Sequence, residues 1–117
     1  MNQPQYARLS ERYFRNAETL LSGGNASEAG ELLWGTTATL VKAIAERQGW
    51  RHTSHRDLGA AIRRIVEESG DTDLIPLFAN AEKLHSNFYE NRYSVEEVQA
   101  LADYIKVLIE KLKSLAS

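Results

Sequence analysis

The last part of the chain repeats apolar residues at alternating intervals of three and four, and this repeat restricts the fold more than any other feature. An α-helix has 3.6 residues per turn, so these intervals place the apolar side chains on one side of it. Six residues form the repeat: Val98, Leu101, Ile105, Leu108, Leu112 and Leu115. A seam this regular is typical of helices in bundles. The sequence therefore predicts that the last helix packs lengthwise against other helices.

Four further segments show helical periodicity, and glycines or capping residues separate them. We expect helices over residues 6–22, 26–48, 55–69 and 74–90. No segment alternates apolar and polar residues as a half-buried strand does. Short connections favour antiparallel neighbours, so we predict an all-α fold, an up-and-down antiparallel bundle of four to five helices, in one domain over residues 1–117. Capping boxes are predicted at three helix starts: Asn25 with Glu28, Ser54 with Asp57, and Ser94 with Glu97.

The composition excludes several classes of protein. The chain has 117 residues and no cysteine, which rules out disulfides and thiolate chemistry. Its first residues are polar, and no run approaches the roughly 20 apolar residues that a membrane span needs. We therefore expect a cytoplasmic protein that does not insert into a membrane.

Positive charge is concentrated in one segment. The chain has a net charge of −2, but residues 47–64 contain five arginines and one acid, so this segment carries +4 and the remainder −6. These arginines, which include Arg47 and Arg51, could bind phosphates while Trp50 stacks on a base. The alternative is an ordinary solvated surface held by salt bridges.

Three histidines are candidates for a site. His55 follows the predicted cap Ser54, where backbone N–H groups favour an anion; alternatively, it packs and holds the loop. A second group, His85, Tyr89 and Arg92, shares one face if the fourth helix extends that far, unless Arg92 merely pairs with a nearby glutamate. His52, His55 and Asp57 lack a fourth partner for zinc. We therefore predict neither a metal site nor a cofactor.

The order of several short segments resembles a known superfamily. These are Tyr13-Phe14-Arg15-Asn16-Ala17, a Gly-Gly turn, Glu31-Leu32-Leu33-Trp34, Val41-Lys42-Ala43, Ser54-His55 with Leu58, and Tyr89 ahead of Arg92-Tyr93. From about residue 6 to residue 115 the chain resembles the HEPN (higher eukaryotes and prokaryotes nucleotide-binding) superfamily, and within it the small stand-alone prokaryotic members.

The resemblance implies a helical bundle that often forms homodimers. It also implies one of three roles: a metal-independent ribonuclease, a toxin component paired with a nucleotidyltransferase antitoxin, or a non-catalytic binder of nucleotides or RNA. In the ribonucleases an arginine precedes a histidine by four to six residues near the last core helix. No arginine stands at that distance before His85, and Arg47 with His52 has the spacing but lies elsewhere. We therefore expect no catalytic residue.

These observations lead to one main hypothesis about function and two alternatives. The main hypothesis is a non-catalytic module that binds a nucleotide or RNA through Arg47, Arg51, His55, His85, Tyr89 and Arg92. The first alternative is a metal-independent ribonuclease that acts as a dimer. The second is a pure protein–protein interaction domain, whose partner would be a second copy or a nucleotidyltransferase.

Overall fold

A computed structural model describes residues 1–116, and these residues form five α-helices and no β-strand. The all-α prediction is therefore confirmed. The helices are α1 (Gln3–Ser22), α2 (Ala26–Gln48), α3 (His55–Ser69), α4 (Leu74–Glu90) and α5 (Val95–Ala116). None of them has the length and apolar content required to cross a membrane, over the residues that the structure describes.

Helix α2 lies at the centre of the bundle and packs against all four other helices. These contacts bury most of its broad apolar surface, since nearly every residue from position 36 to position 45 is buried. One contact depends on a missing side chain. A Cβ at Gly35 would lie 3.1 Å from Cδ2 of Tyr13, so the glycine allows the α1 ring to reach the α2 backbone.

Four of the helices alternate in direction. Leu84 of α4 lies against Gly30 near the start of α2, whereas Phe78, earlier in α4, contacts the later residue Trp34. Helices α2 and α4 are therefore antiparallel. The side-chain amide of Gln3 donates a hydrogen bond to the Ala116 carbonyl, which places the start of α1 beside the end of α5.

Helix α3 departs from the predicted alternation because it runs in the same general direction as α2. It starts beside Trp34 and, around Ile65, reaches the C-terminal part of α2. The loop at residues 49–54 makes this possible by turning back along α2. His52 fixes the loop, since its Nδ1 lies 2.9 Å from the Trp50 carbonyl and its Nε2 lies 3.2 Å from a Glu46 oxygen.

The seam of α5 packs as the sequence predicts. Val98, Ile105, Leu108 and Leu112 have no exposed surface, while the two remaining seam residues, Leu101 and Leu115, are partly buried. The spacing of three and four thus places this face of α5 in the core.

Two predicted capping boxes are confirmed. The Asp57 amide donates to Ser54 Oγ at 3.1 Å, and the Ser54 amide donates back to the Asp57 carboxylate at 3.2 Å. The same reciprocal pair links Ser94 and Glu97 at 3.1 and 3.0 Å. These bonds satisfy backbone donors at the starts of α3 and α5.

The third predicted capping box is wrong. The Asn25 side chain makes no capping hydrogen bond, because its backbone (φ −86°, ψ 67°) is not in the extended conformation such a cap uses. The backbone amide of Asn25 instead donates a hydrogen bond to the Leu20 carbonyl at 2.8 Å, at the end of α1. The start of α1 also differs from the prediction. A capping box formed by Asn2 and Gln5 begins the helix at Gln3.

Candidate functional site

Two histidine rings from different helices stack on one indole. Trp34 of α2 is 8% exposed, and its ring centroid lies 4.9 Å from that of His55 and 5.1 Å from that of His85. The two imidazole centroids are 6.0 Å apart. Rings on opposite faces of an indole would be about 7 Å apart or more, because each stacking layer is about 3.5 Å thick. Both imidazoles therefore lie on the same face of Trp34.

Each imidazole is held by a carboxylate from another helix. His55 Nε2 lies 2.6 Å from Glu82 of α4, and His85 Nδ1 lies 3.0 Å from both oxygens of Glu31 of α2. A carboxylate only accepts hydrogen bonds, so the facing ring nitrogen donates in each pair. The other nitrogen of each ring has no hydrogen-bond partner within residues 1–116. We call these five residues (Glu31, Trp34, His55, Glu82 and His85) the histidine cluster.

The histidine cluster is open to solvent on its outer side. The side chain of His55 is 48% exposed and that of His85 is 31% exposed, although Trp34 beneath them is buried. Phe78 contacts Trp34 at a centroid distance of 5.6 Å and joins it to the core. The cluster is therefore a surface feature with a buried aromatic floor.

Further aromatic rings extend the cluster along α4. Tyr89 lies one turn after His85, and the two rings meet edge-on with centroids 5.6 Å apart. Phe88 contacts Tyr89 edge-on at 5.2 Å. Tyr89 itself is 74% exposed, so an anchored aromatic ring stands at the surface beside the two histidines.

A buried amide shapes the turn that follows α4. The helix ends at Glu90, and Asn91 adopts a left-handed conformation (φ 49°) that directs the chain away from the helix axis. The Asn87 side chain is buried, and its oxygen accepts hydrogen bonds from the Arg92 and Tyr93 amides at 2.7 and 2.9 Å. Asn87 therefore fixes the position of Arg92 relative to Tyr89.

An open groove of about 330 Å³ lies against the next face of α4. Glu82 belongs both to its lining and to the histidine cluster, so the groove and the cluster adjoin. Lys83 and Arg92 contribute positive charge to the groove, and Glu90 forms an ion pair with Arg92. The groove is large enough for a small organic ligand.

A protein-family model for the archaeal PaREP1/PaREP8 family matches residues 5–109 of the sequence. The chain belongs to this family. The match spans all five helices apart from the first residues of α1 and the last residues of α5. No curated protein and no solved structure matches the sequence at a significant level.

In this PaREP1/PaREP8 chain, some of the predicted site residues meet and others do not. His55, His85 and Tyr89 are joined through ring contacts, with Arg92 just beyond α4. Arg47 lies apart, beside Leu115 and the far end of α3. Helix α3 has 15 residues, so its two ends are about 21 Å apart. His55 lies at one end and Arg47 lies near the other.

The arginines of the basic segment, residues 47–64, are likewise separated in the structure. Arg64 lies over Trp50, with its guanidinium carbon 4.6 Å from the ring centroid, so one face of this indole is already covered. Arg51 and Arg56 are exposed and flank His55 along the chain. We define the α3–α4 face as His55, His85, Tyr89 and Arg92, with Arg51 and Arg56 at its edge.

Sequence reasoning missed three members of the histidine cluster. Trp34, Glu31 and Glu82 were not expected in a site. Their spacing carries a partial signal, because Glu31 and Trp34, like Glu82 and His85, are three residues apart and so share a helix face. The predicted common face of His85, Tyr89 and Arg92 is only partly correct, because α4 ends before Arg92.

Proposed function

We propose that this chain binds RNA, or the nucleotides that compose it, through the α3–α4 face. The observation that carries the proposal is the contact between His55 of α3 and His85 of α4, with Tyr89 joined to the same cluster. Imidazole and phenol rings can contact bases, while nearby cations can contact phosphates. Residues suited to contact bases and residues suited to contact phosphates thus belong to the same proposed surface.

The charge distribution supports the same proposal. Arg51 and Arg56 are exposed and lie on either side of His55 in the sequence, and Arg92 follows α4, within a chain that is otherwise acidic. We propose that a polyanion contacts these arginines as it crosses the exposed rings. Such binding releases counterions from the nucleic acid and weakens as salt rises. Arg47 lies outside this surface and has no part in the revised site.

The proposal also includes membership of the HEPN superfamily. The ordered sequence features and the all-α bundle support it. The resemblance further leads us to propose a role in a toxin–antitoxin-like system with a nucleotidyltransferase partner in the cytoplasm. Co-purification of the tagged protein with the product of a neighbouring nucleotidyltransferase gene tests this partner, and a clean preparation of the chain alone counts against it.

Fluorescence anisotropy with labelled single-stranded RNA tests the binding directly. Titrations in EDTA at low and moderate salt should show saturable binding that weakens steadily with salt. The same samples, run on a denaturing gel, report whether the RNA stays whole. Absence of binding at low salt would refute the proposed function.

A metal-independent ribonuclease is a second candidate, and one observation favours it. His55 and His85 lie side by side, each has a carboxylate on one nitrogen, and the other nitrogen is not hydrogen-bonded within the described part of the chain. One imidazole could take the proton of a ribose 2′-hydroxyl while the other protonates the leaving 5′-oxygen. Cleavage in EDTA that is lost in His55→Ala and His85→Ala but retained in His52→Ala would favour this candidate.

A protein–protein interaction domain is a third candidate. Tyr104 and Val107 of α5 are about half exposed and lie on the same side of the helix. This apolar surface supports a proposed homodimer better than α2 does, because the apolar surface of α2 is buried within the chain. Light scattering that reports a mass near 13 kDa at micromolar concentration would contradict the dimer.

A further inference from the structure

Two aromatic side chains are candidates for stacking on a base, and the structure favours only one of them. Trp50 is partly buried against the core, and the Arg64 guanidinium covers one face of its ring. A base could reach this ring only after that contact had broken. Tyr89 is 74% exposed and loses little surface to its neighbours. At least one face of its ring is therefore open to solvent.

The Tyr89 ring is also held in position. His85 and Phe88 both contact it edge-on, and His85 is fixed in turn by Glu31 and by stacking on Trp34. A ring that is ordered before binding loses less conformational freedom when a ligand stacks on it. Exposure combined with anchoring distinguishes Tyr89 from an ordinary surface tyrosine.

We propose that Tyr89 is the platform on which an unpaired nucleobase stacks, so that the α3–α4 face binds single-stranded RNA in preference to duplex. This inference rests on the proposed RNA binding and specifies its ligand. In a duplex the faces of the bases are covered by their neighbours, so an aromatic side chain can stack only on bases that are splayed out. Because every base has a π-face, the contact should tolerate sequence changes.

The arrangement of charge fits a strand that passes over the ring. Arg92 is held close to Tyr89 by the Asn87 hydrogen bonds to the turn after α4. Arg56 directly follows His55 on α3 and is exposed. A phosphate beside the stacked base could thus contact Arg92 in place of its ion-pair partner Glu90, and a phosphate near His55 could contact Arg56.

The test uses labelled oligo(U), an RNA duplex of the same length, and an abasic strand with the same backbone. Wild-type protein should bind oligo(U) more tightly than the other two. Tyr89→Leu should weaken oligo(U) binding about fivefold to tenfold, whereas Tyr89→Phe should bind like the wild type. The control is Ile75→Ala, which truncates an apolar side chain that is 52% exposed in the first turn of α4 and should leave affinity unchanged.

Each outcome has a distinct meaning. Loss of affinity for oligo(U) in Tyr89→Leu, without loss for the abasic strand, supports the stacking platform. Equal binding of all three probes, together with a Tyr89→Leu variant that behaves like the wild type, overturns the stacking inference but leaves the RNA-binding proposal standing. Failure of the wild type to bind any probe overturns both. Circular dichroism of each variant checks that the helices remain folded.

Discussion

The imidazole rings of His55 and His85 lie 6.0 Å apart although they belong to different helices, α3 and α4. Two features of the fold bring them together. The His52 loop returns the chain along α2, so that α3 starts beside Trp34 rather than at the end of α2. The antiparallel α4 then presents His85 to the same indole. The proposed site therefore depends on the path of this loop.

Removal of the indole should destabilise the protein. Trp34→Ala deletes a buried ring that contacts Phe78 and both histidines, and we expect a loss of about 3–5 kcal/mol in the free energy of unfolding. Urea titration followed by circular dichroism measures the loss. Trp50→Ala is the matched control and should have a smaller effect, because Trp50 is only partly buried. Equal losses in the two variants would contradict the central position of Trp34.

Two glycine substitutions should have opposite effects. Gly59→Ala in α3 places its Cβ 3.7 Å from the flexible end of Arg63, so the gain in helix propensity should stabilise the protein by about 0.5–1 kcal/mol. Gly35→Ala places its Cβ 3.1 Å from the Tyr13 ring, which must move, so we expect destabilisation. Thermal unfolding of both variants is the measurement. Stabilisation by Gly35→Ala would show that α1 adjusts without strain.

Much of the fold follows from local patterns in the sequence. The α5 seam and the Ser54 and Ser94 capping boxes were predictable because they depend on spacing within one element. The error at Asn25 has a different origin. The same residues fit a capping box, but the turn after α1 uses the Asn25 amide to close the preceding helix.

The site was less predictable because it depends on which helix faces meet. His55, His85 and Tyr89 were recognisable as candidates, but nothing local links them to Trp34, Glu31 or Glu82. The path of α3 beside α2 is set by the His52 hydrogen bonds, which span a loop and a helix end. The separation of Arg47 from the other candidates has the same cause. The arginines that are close together in the sequence are therefore not all close together in the structure.

The turn that carries Arg92 should depend on one buried amide. Asn87→Ala removes the acceptor for the Arg92 and Tyr93 amides, and we expect a loss of about 2 kcal/mol in the free energy of unfolding. Asn87→Asp keeps an oxygen in the same place and should lose less. Chemical denaturation compares the two variants with the wild type. If the alanine variant were as stable as the wild type, the two hydrogen bonds would contribute little.

The free energy of unfolding should decrease both at low pH and at high pH, because each change in charge weakens one ion pair. The Lys111 ammonium donates a hydrogen bond of 2.7 Å to Asp71, which lowers the pKa of that carboxyl below its usual range. The hydrogen bond to Asp71 raises the pKa of Lys111. The Asp71 contribution is present above about pH 4 and disappears as pH falls through the lowered pKa. The Lys111 contribution is present below about pH 10.4 and disappears as pH rises through the raised pKa.

Asp71→Asn should weaken the dependence of stability on pH at both the acidic and the alkaline end. Urea midpoints measured across the pH range should change less with pH in this variant than in the wild type. Some sensitivity to acid should remain, because a hydrogen bond from the Thr53 amide also lowers the pKa of Asp57. An unchanged profile at both ends would mean that the ion pair contributes nothing to stability.

Mapping of the RNA contact by NMR shows directly whether the α3–α4 face binds RNA. Oligo(U) is added to isotope-labelled protein, and shifts of the amide signals are assigned to residues. We expect the largest shifts at the α3–α4 face and its edge, with Arg12 of α1 unaffected because α1 packs on α2 away from α4. Arg51→Glu and Arg92→Glu should reduce these shifts, whereas Arg12→Glu should not. Shifts centred on α1 or α5, or no shifts at low salt, would contradict RNA binding at the α3–α4 face.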